Sequence, residues 1–147
     1  EFAAKAQFTV GDFHYNLREY EQALGAYSHL LDQYADSEEA PRARTLVAEL
    51  NEIGATFEYA TIMKLFEDQQ YDEAITGFEQ ITLKYAGTYT ELAAYCNQGL
   101  AYEITRRWKQ AADSYEQVLE KGGDDLQSAD VVSFAKSHRD WIVENRL

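Results

Sequence analysis

Cysteine occurs once in these 147 residues, at Cys96. Neither an internal disulfide nor a cysteine-based metal site can therefore form. Proline also occurs once, at Pro41, so almost nothing in the chain forbids helix. Basic residues are scarce: 13 Lys and Arg stand against 26 Asp and Glu, a net charge of −13. Phosphate backbones and anionic membrane surfaces are recognised by clustered Lys and Arg, so no nucleic-acid partner is expected. No apolar run approaches the roughly 20 residues of a membrane span, so this segment is not expected to insert directly into a bilayer. There is no glycine-rich phosphate loop, zinc-binding His-Glu pattern or nucleophile elbow, and His14, His29 and His138 stand far apart. Carboxylate pairs such as Asp124-Asp125 and Glu38-Glu39 fall at expected helix starts, where negative charge offsets the helix dipole. No enzymatic activity, cofactor or metal is expected.

What the chain does have is apolar and aromatic content, 46% and 14%, enough to build a substantial core. It also repeats itself. An aromatic, an Ala three residues on and an aromatic four beyond that occur as Tyr20-Ala23-Tyr27, Tyr71-Ala74-Phe78 and Trp108-Ala111-Tyr115. Nine residues before each opening aromatic lie Gly11, Ile62 and Gly99; ten after it lie Leu30, Ile81 and Val118. The small residues let paired helices approach closely while the aromatics fill the wedge between pairs. Ile62 in place of a small residue predicts looser packing in the middle pair.

This order of small, aromatic and aliphatic positions resembles the tetratricopeptide repeat, a helix-turn-helix unit of about 34 residues. The resemblance covers about residues 4–37, 55–88 and 92–124 and implies an all-α fold of stacked helical hairpins. The Pro that usually closes a family repeat is replaced by Ala35, Ala86 and Gly123. Helix stops and starts are expected instead from Asp36, Gly87-Thr88 and Gly122-Gly123-Asp124, with Asp36-x-x-Glu39 and Thr88-x-x-Glu91 reading as capping boxes.

The repeats are unevenly spaced. Trp108 follows Tyr71 by 37 residues, but Tyr71 follows Tyr20 by 51. The excess lies in the extension 38–54, where Leu46, Leu50 and Ile53 continue in phase into Phe57 and Ala60. That stripe predicts one long helix from Glu38 to Gln69, passing through Gly54, since a single Gly costs only about 1 kcal/mol. A break at Gly54 is the alternative. A closing helix is expected within 127–147, with Val131, Phe134, Ala135, His138, Trp141 and Ile142 on one face and Trp141 covering the last hairpin. The whole, residues 1–147, reads as a single repeat domain. The opening Glu1-Phe2 in place of Met, a dipeptide that cloning sites can leave, suggests a piece of a longer protein.

In the family, the first helix of each hairpin lines a concave channel. The matching positions here are Phe8, Asp12 and Tyr15, then Tyr59, Met63 and Phe66, then Cys96, Leu100 and Glu103. Most are apolar or aromatic, which implies a groove for an extended or helical segment of a partner protein, with an acidic surround favouring nearby positive charge. The same residues also suit ordinary core. The cationic set with which some family members clamp a partner's C-terminal carboxylate is missing: the first unit holds Lys5, Phe8, Thr9 and Asp12 there. The wording of the repeats, with Tyr34 and Tyr85 at helix ends, is most similar to repeats of bacterial cell-envelope proteins, a resemblance that favours an envelope or periplasmic setting over the cytoplasmic alternative. The resulting expectation is a noncatalytic protein-binding scaffold. A homodimerisation module built on the long helix, or an accessory domain of a larger enzyme, are the alternatives.

Overall fold

The computed structural model describes residues 2–124 and 126–147; Asp125, one half of the expected Asp124-Asp125 helix start, lies outside them. The described residues form α1 (Phe2–Asn16), α2 (Tyr20–Gln33), α3 (Ala40–Glu67), α4 (Tyr71–Lys84), α5 (Tyr89–Ile104), α6 (Trp108–Gly122) and α7 (Ala129–Asn145). No strand occurs among them. The fold is all-α, its helices packed in sequence as antiparallel pairs. It divides into two compact units, Glu1–Ile53 and Gly54–Leu147, so that the boundary falls inside α3.

The threefold phrase accounts for the packing. Ala23, Ala74 and Ala111 are fully buried, as are the closing aromatics Tyr27, Phe78 and Tyr115. A Cβ on Gly11 would stand 2.3 Å from the Tyr27 ring, and one on Gly99 would stand 2.7 Å from that of Tyr115. The middle hairpin reaches close packing by another route. Ile62 occupies the small position, and the room comes from Gly77 on α4, where a Cβ would lie 2.7 Å from Ile62 Cγ1. Looser packing was expected because only one side of that crossing was considered.

Between the two helices of each hairpin the chain makes the same turn. Arg18, Gln69 and Arg106, each two residues before the opening aromatic, have φ of 61°, 62° and 60°. In each case the amide of that residue donates to the carbonyl three back, and the next amide to the carbonyl five back: Arg18 to Tyr15 and Glu19 to His14, Gln69 to Phe66 and Gln70 to Leu65, Arg106 to Glu103 and Arg107 to Tyr102. These bonds end the first helix in the Schellman manner. A left-handed backbone costs an L-residue roughly 1–2 kcal/mol that Gly does not bear. Replacing Arg18, Gln69 and Arg106 together by Gly is expected to raise the thermal midpoint by several degrees, each site contributing about 0.5–1 kcal/mol. An unchanged or lower midpoint in a calorimetric scan would contradict this strain.

Helix α3 is unbroken at Gly54, although it is shorter than Glu38–Gln69. Gly54 serves a contact there: a Cβ would lie 3.1 Å from the Tyr85 hydroxyl oxygen. That hydroxyl donates to Glu58 Oε1 at 2.8 Å, and Lys84 Nζ pairs with the same oxygen at 2.5 Å. The Lys84 hydrogen bond holds the Glu58 carboxyl below its usual range, against the opposing effect of burial.

Of the two expected capping boxes one forms. Thr88 accepts from the Glu91 amide at 3.0 Å, and Glu91 Oε2 reaches back to the amide of Gly87 at 2.6 Å. The Asp36-x-x-Glu39 box does not form, because α3 begins only at Ala40, whose amide bonds to the Ser37 carbonyl at 3.2 Å. Pro41 sits in the first turn, where its missing N–H is tolerated.

In the first unit, Ala40, Ala43 and Leu50 of α3 pack with Phe8, Ala23, Tyr27 and Leu30, flanked by Leu46 and Val47. In the second, one cluster gathers Ala55, Ala74, Phe78, Ile81, Tyr85 and Ala94, and another gathers Cys96, Ala111, Ala112, Tyr115, Val118, Ala135 and Ile142. Helix α7 closes the second unit through Ala135 and Ile142, while Phe134 and Trp141 of its expected face remain 39% and 45% exposed. Trp141 meets Trp108 of the last hairpin edge to face, 6.1 Å between ring centroids.

Candidate functional site

The nine groove positions fall into two sets, one in each unit. In the first unit, Phe8 is buried between the Tyr27 ring at 5.4 Å and the Arg42 guanidinium at 5.0 Å. Asp12 accepts from the Tyr27 hydroxyl at 2.6 Å, and Tyr15 donates to Glu49 Oε1 at 2.7 Å. Burial chiefly, together with the Asp12 bond, raises the Tyr27 hydroxyl above its ordinary range. The Glu49 hydrogen bond does the same for Tyr15. Phe8 is therefore core, whereas Asp12 and Tyr15 are half-buried and already bonded.

In the second unit, Tyr59, Met63 and Phe66 pack from one side onto the cluster around Phe78, with centroid distances of 5.8 Å from Tyr59 and 6.4 Å from Phe66. Tyr59 accepts a short bond from Asn97 Nδ2 of α5. Cys96 is buried, and its thiol faces the Val131 carbonyl at 3.8 Å. Burial pushes that thiol up to about 12, so it remains a protonated filler rather than a nucleophile. Leu100 is half-buried. Glu103, its side chain 15% exposed, holds His138 Nδ1 between its two oxygens at 2.9 and 3.0 Å.

A common geometry links these positions. Tyr15 reaches 34 residues along the chain to Glu49, Tyr59 reaches 38 to Asn97, and Cys96 and Glu103 each reach 35, to Val131 and His138. Each contact runs from one first helix to the helix occupying the next equivalent place. Within the second unit Tyr59, Cys96 and Glu103 are thus tied to α5 or α7, while Met63, Phe66 and Leu100 stay half-buried. The paired residues Glu49, Asn97, Val131 and His138 were absent from the sequence-derived set. A shift of one repeat length from each groove position points to them.

Near Glu103 the surface folds into a cleft of about 260 Å³ lined by Glu103, Ser137, His138 and Trp141. Among the described residues no group of His, Cys, Asp and Glu is placed to hold a metal ion. None of the described helices is long and apolar enough to cross a membrane.

Residues 5–37 match the family model described as tetratricopeptide repeat. The match coincides with the first hairpin, α1 and α2. No curated protein matches the chain. The buried Ala, the aromatic wedge and the left-handed turn residue of that hairpin recur in the other two, so the matched segment and the internal repetition describe the same architecture. A repeat of this family suggests protein partners.

Proposed function

We propose that the chain is a noncatalytic interaction module that holds a segment of another protein against the part of α3 and α5 that its second unit leaves open. The carrying observation is that Met63 and Phe66 of α3 and Leu100 of α5 stay half-buried although α3 packs on the Phe78 cluster and α5 packs against α4 and α6. An extended or helical segment inserting apolar side chains suits these residues. The net charge of −13 favours basic residues on the same partner.

Tyr59 and Phe66 both touch Phe78, so truncating them would disturb the core as much as the face. A photoreactive benzophenone amino acid at Met63 or Leu100 avoids this. Irradiation in an extract of the source cells is expected to join the chain to one and the same protein from both positions, and to leave it unlabelled when the probe replaces exposed Glu79 or Lys109. Equal labelling from all four positions, or labelling from Glu79 and Lys109 alone, would remove the groove from the reading.

A further inference from the structure

Beyond the groove, the second unit carries an aromatic site that is already filled by a cation of its own chain. Trp108 opens α6 and Trp141 lies near the end of α7, their rings 6.1 Å apart at 62°. The Arg146 guanidinium lies over both, 4.9 Å from the Trp108 centroid and 5.2 Å from that of Trp141. Trp141 also forms one wall of the cleft in which Glu103 and Ser137 stand. An indole pair whose Trp141 member also walls a cleft holding a carboxylate supplies the ingredients of a cation receptor, Trp being the aromatic with the strongest attraction for positive charge.

Arg146 is held there loosely. It is exposed, it follows the last residue of α7, and no carboxylate pairs with it among the ion pairs of the described residues. The Glu103 carboxylate is engaged by His138 and also acts on the Tyr115 hydroxyl, and the acceptor sites of its two oxygens still leave capacity toward the cleft. A chain of net charge −13 gathers cations at its surface.

We propose that Trp108, Trp141 and the Glu103 cleft bind an arginine side chain of a partner protein, and that Arg146 occupies the indole pair in the free chain as an internal competitor. Arginine is preferred to lysine because its planar guanidinium stacks on the indoles while offering forked donors to a carboxylate. The inference deepens the protein-binding reading by naming the partner's chemistry, and it shares only Glu103 with the groove positions.

Trp108 and Trp141 are the two tryptophans of the chain, so its tryptophan emission reports on this site alone. The probe is acetylated tetra-arginine amide, titrated in 0.15 M salt, with tetralysine amide as the equal-charge comparison. Tetra-arginine is expected to change the emission saturably and to bind several-fold more tightly than tetralysine. Arg146→Ala should tighten it roughly three- to tenfold by removing the competitor, whereas Lys64→Ala, the same change of charge at an exposed position, should not. Glu103→Gln should weaken it by a similar factor, with the helical circular dichroism retained. Equal affinities for the original chain and Arg146→Ala, equal binding of the two peptides, or no saturable change in emission would each overturn the proposal. Crosslinking from Met63 and Leu100 is read separately: its failure beside a positive titration removes the groove and leaves this site standing.

Discussion

Gly99→Leu is expected to destabilise the second unit by about 3 kcal/mol, while Gly25→Leu on α2 is expected to be neutral or to stabilise by up to about 1 kcal/mol. Both replace a helical Gly by a good helix former, so propensity alone predicts two gains. Packing separates them. A Cβ at Gly99 would lie 2.7 to 2.9 Å from three ring carbons of Tyr115, whereas one at Gly25 meets nothing within 4 Å. The Tyr115 ring has little room to yield: it is fully buried and backed by Phe134 at 6.2 Å and His138 at 5.5 Å. The middle hairpin supplies an internal check. Gly77→Ala drives a Cβ against Ile62, so it should cost stability alone and cost markedly less when combined with Ile62→Ala, a coupling that a double-mutant cycle measures. Equal effects of Gly99→Leu and Gly25→Leu in denaturant unfolding would show that the close helix crossing is not what these glycines provide.

The repeat architecture was legible because it rests on side-chain volume at fixed spacing. Ala23, Ala74 and Ala111 are small where helices cross, and the aromatics around them are large where wedges need filling. The continuity of α3 was legible for the same reason: its apolar stripe keeps phase through Gly54. The inter-helix turns were not, because Arg18, Gln69 and Arg106 adopt a left-handed backbone without the Gly that would signal it. Nor was Gly77, whose meaning exists only opposite Ile62.

The candidate site was half legible. One-helix reasoning put Phe8 to Tyr15, Tyr59 to Phe66 and Cys96 to Glu103 on the first helix of each hairpin, where α1, α3 and α5 carry them, but could not see what those residues meet. Reading α7 only as a closing cap hid His138 from Glu103, and the two tryptophans, 33 residues apart in the chain, gave no sign of sharing Arg146. Asp36-x-x-Glu39 misled in another way. Its residue types fit a capping box, but the helix starts at Ala40, so the motif lies just outside the helix it was expected to open.

Leu50→Glu is the most demanding substitution for the first unit and is expected to cost it about 4 kcal/mol or more. From the sequence, the stripe Leu46, Leu50 and Ile53 left two ways of being covered, a second copy of the chain or a kink at Gly54 that folds the helix back on its own chain. In the structure Leu50 is only 4% exposed and packs in the cluster with Tyr27 and Leu30, while Leu46 flanks the same cluster. Its own chain therefore covers that part of the stripe. Exchanging Leu50 for Glu forfeits roughly 1.5–3 kcal/mol of apolar burial and adds the cost of a buried carboxylate with no cationic partner, unless the group protonates or the helices part. Ile53 is 39% exposed, so Ile53→Glu should change stability by about 1 kcal/mol or less. Amide exchange across α2 reads the first effect, and sedimentation equilibrium reads mass on the same samples. Loss of protection in Leu50→Glu at unchanged mass is the expected result. A halved mass with protection intact would instead place Leu50 in a seam between two copies, and the long helix would then be a dimerisation element after all.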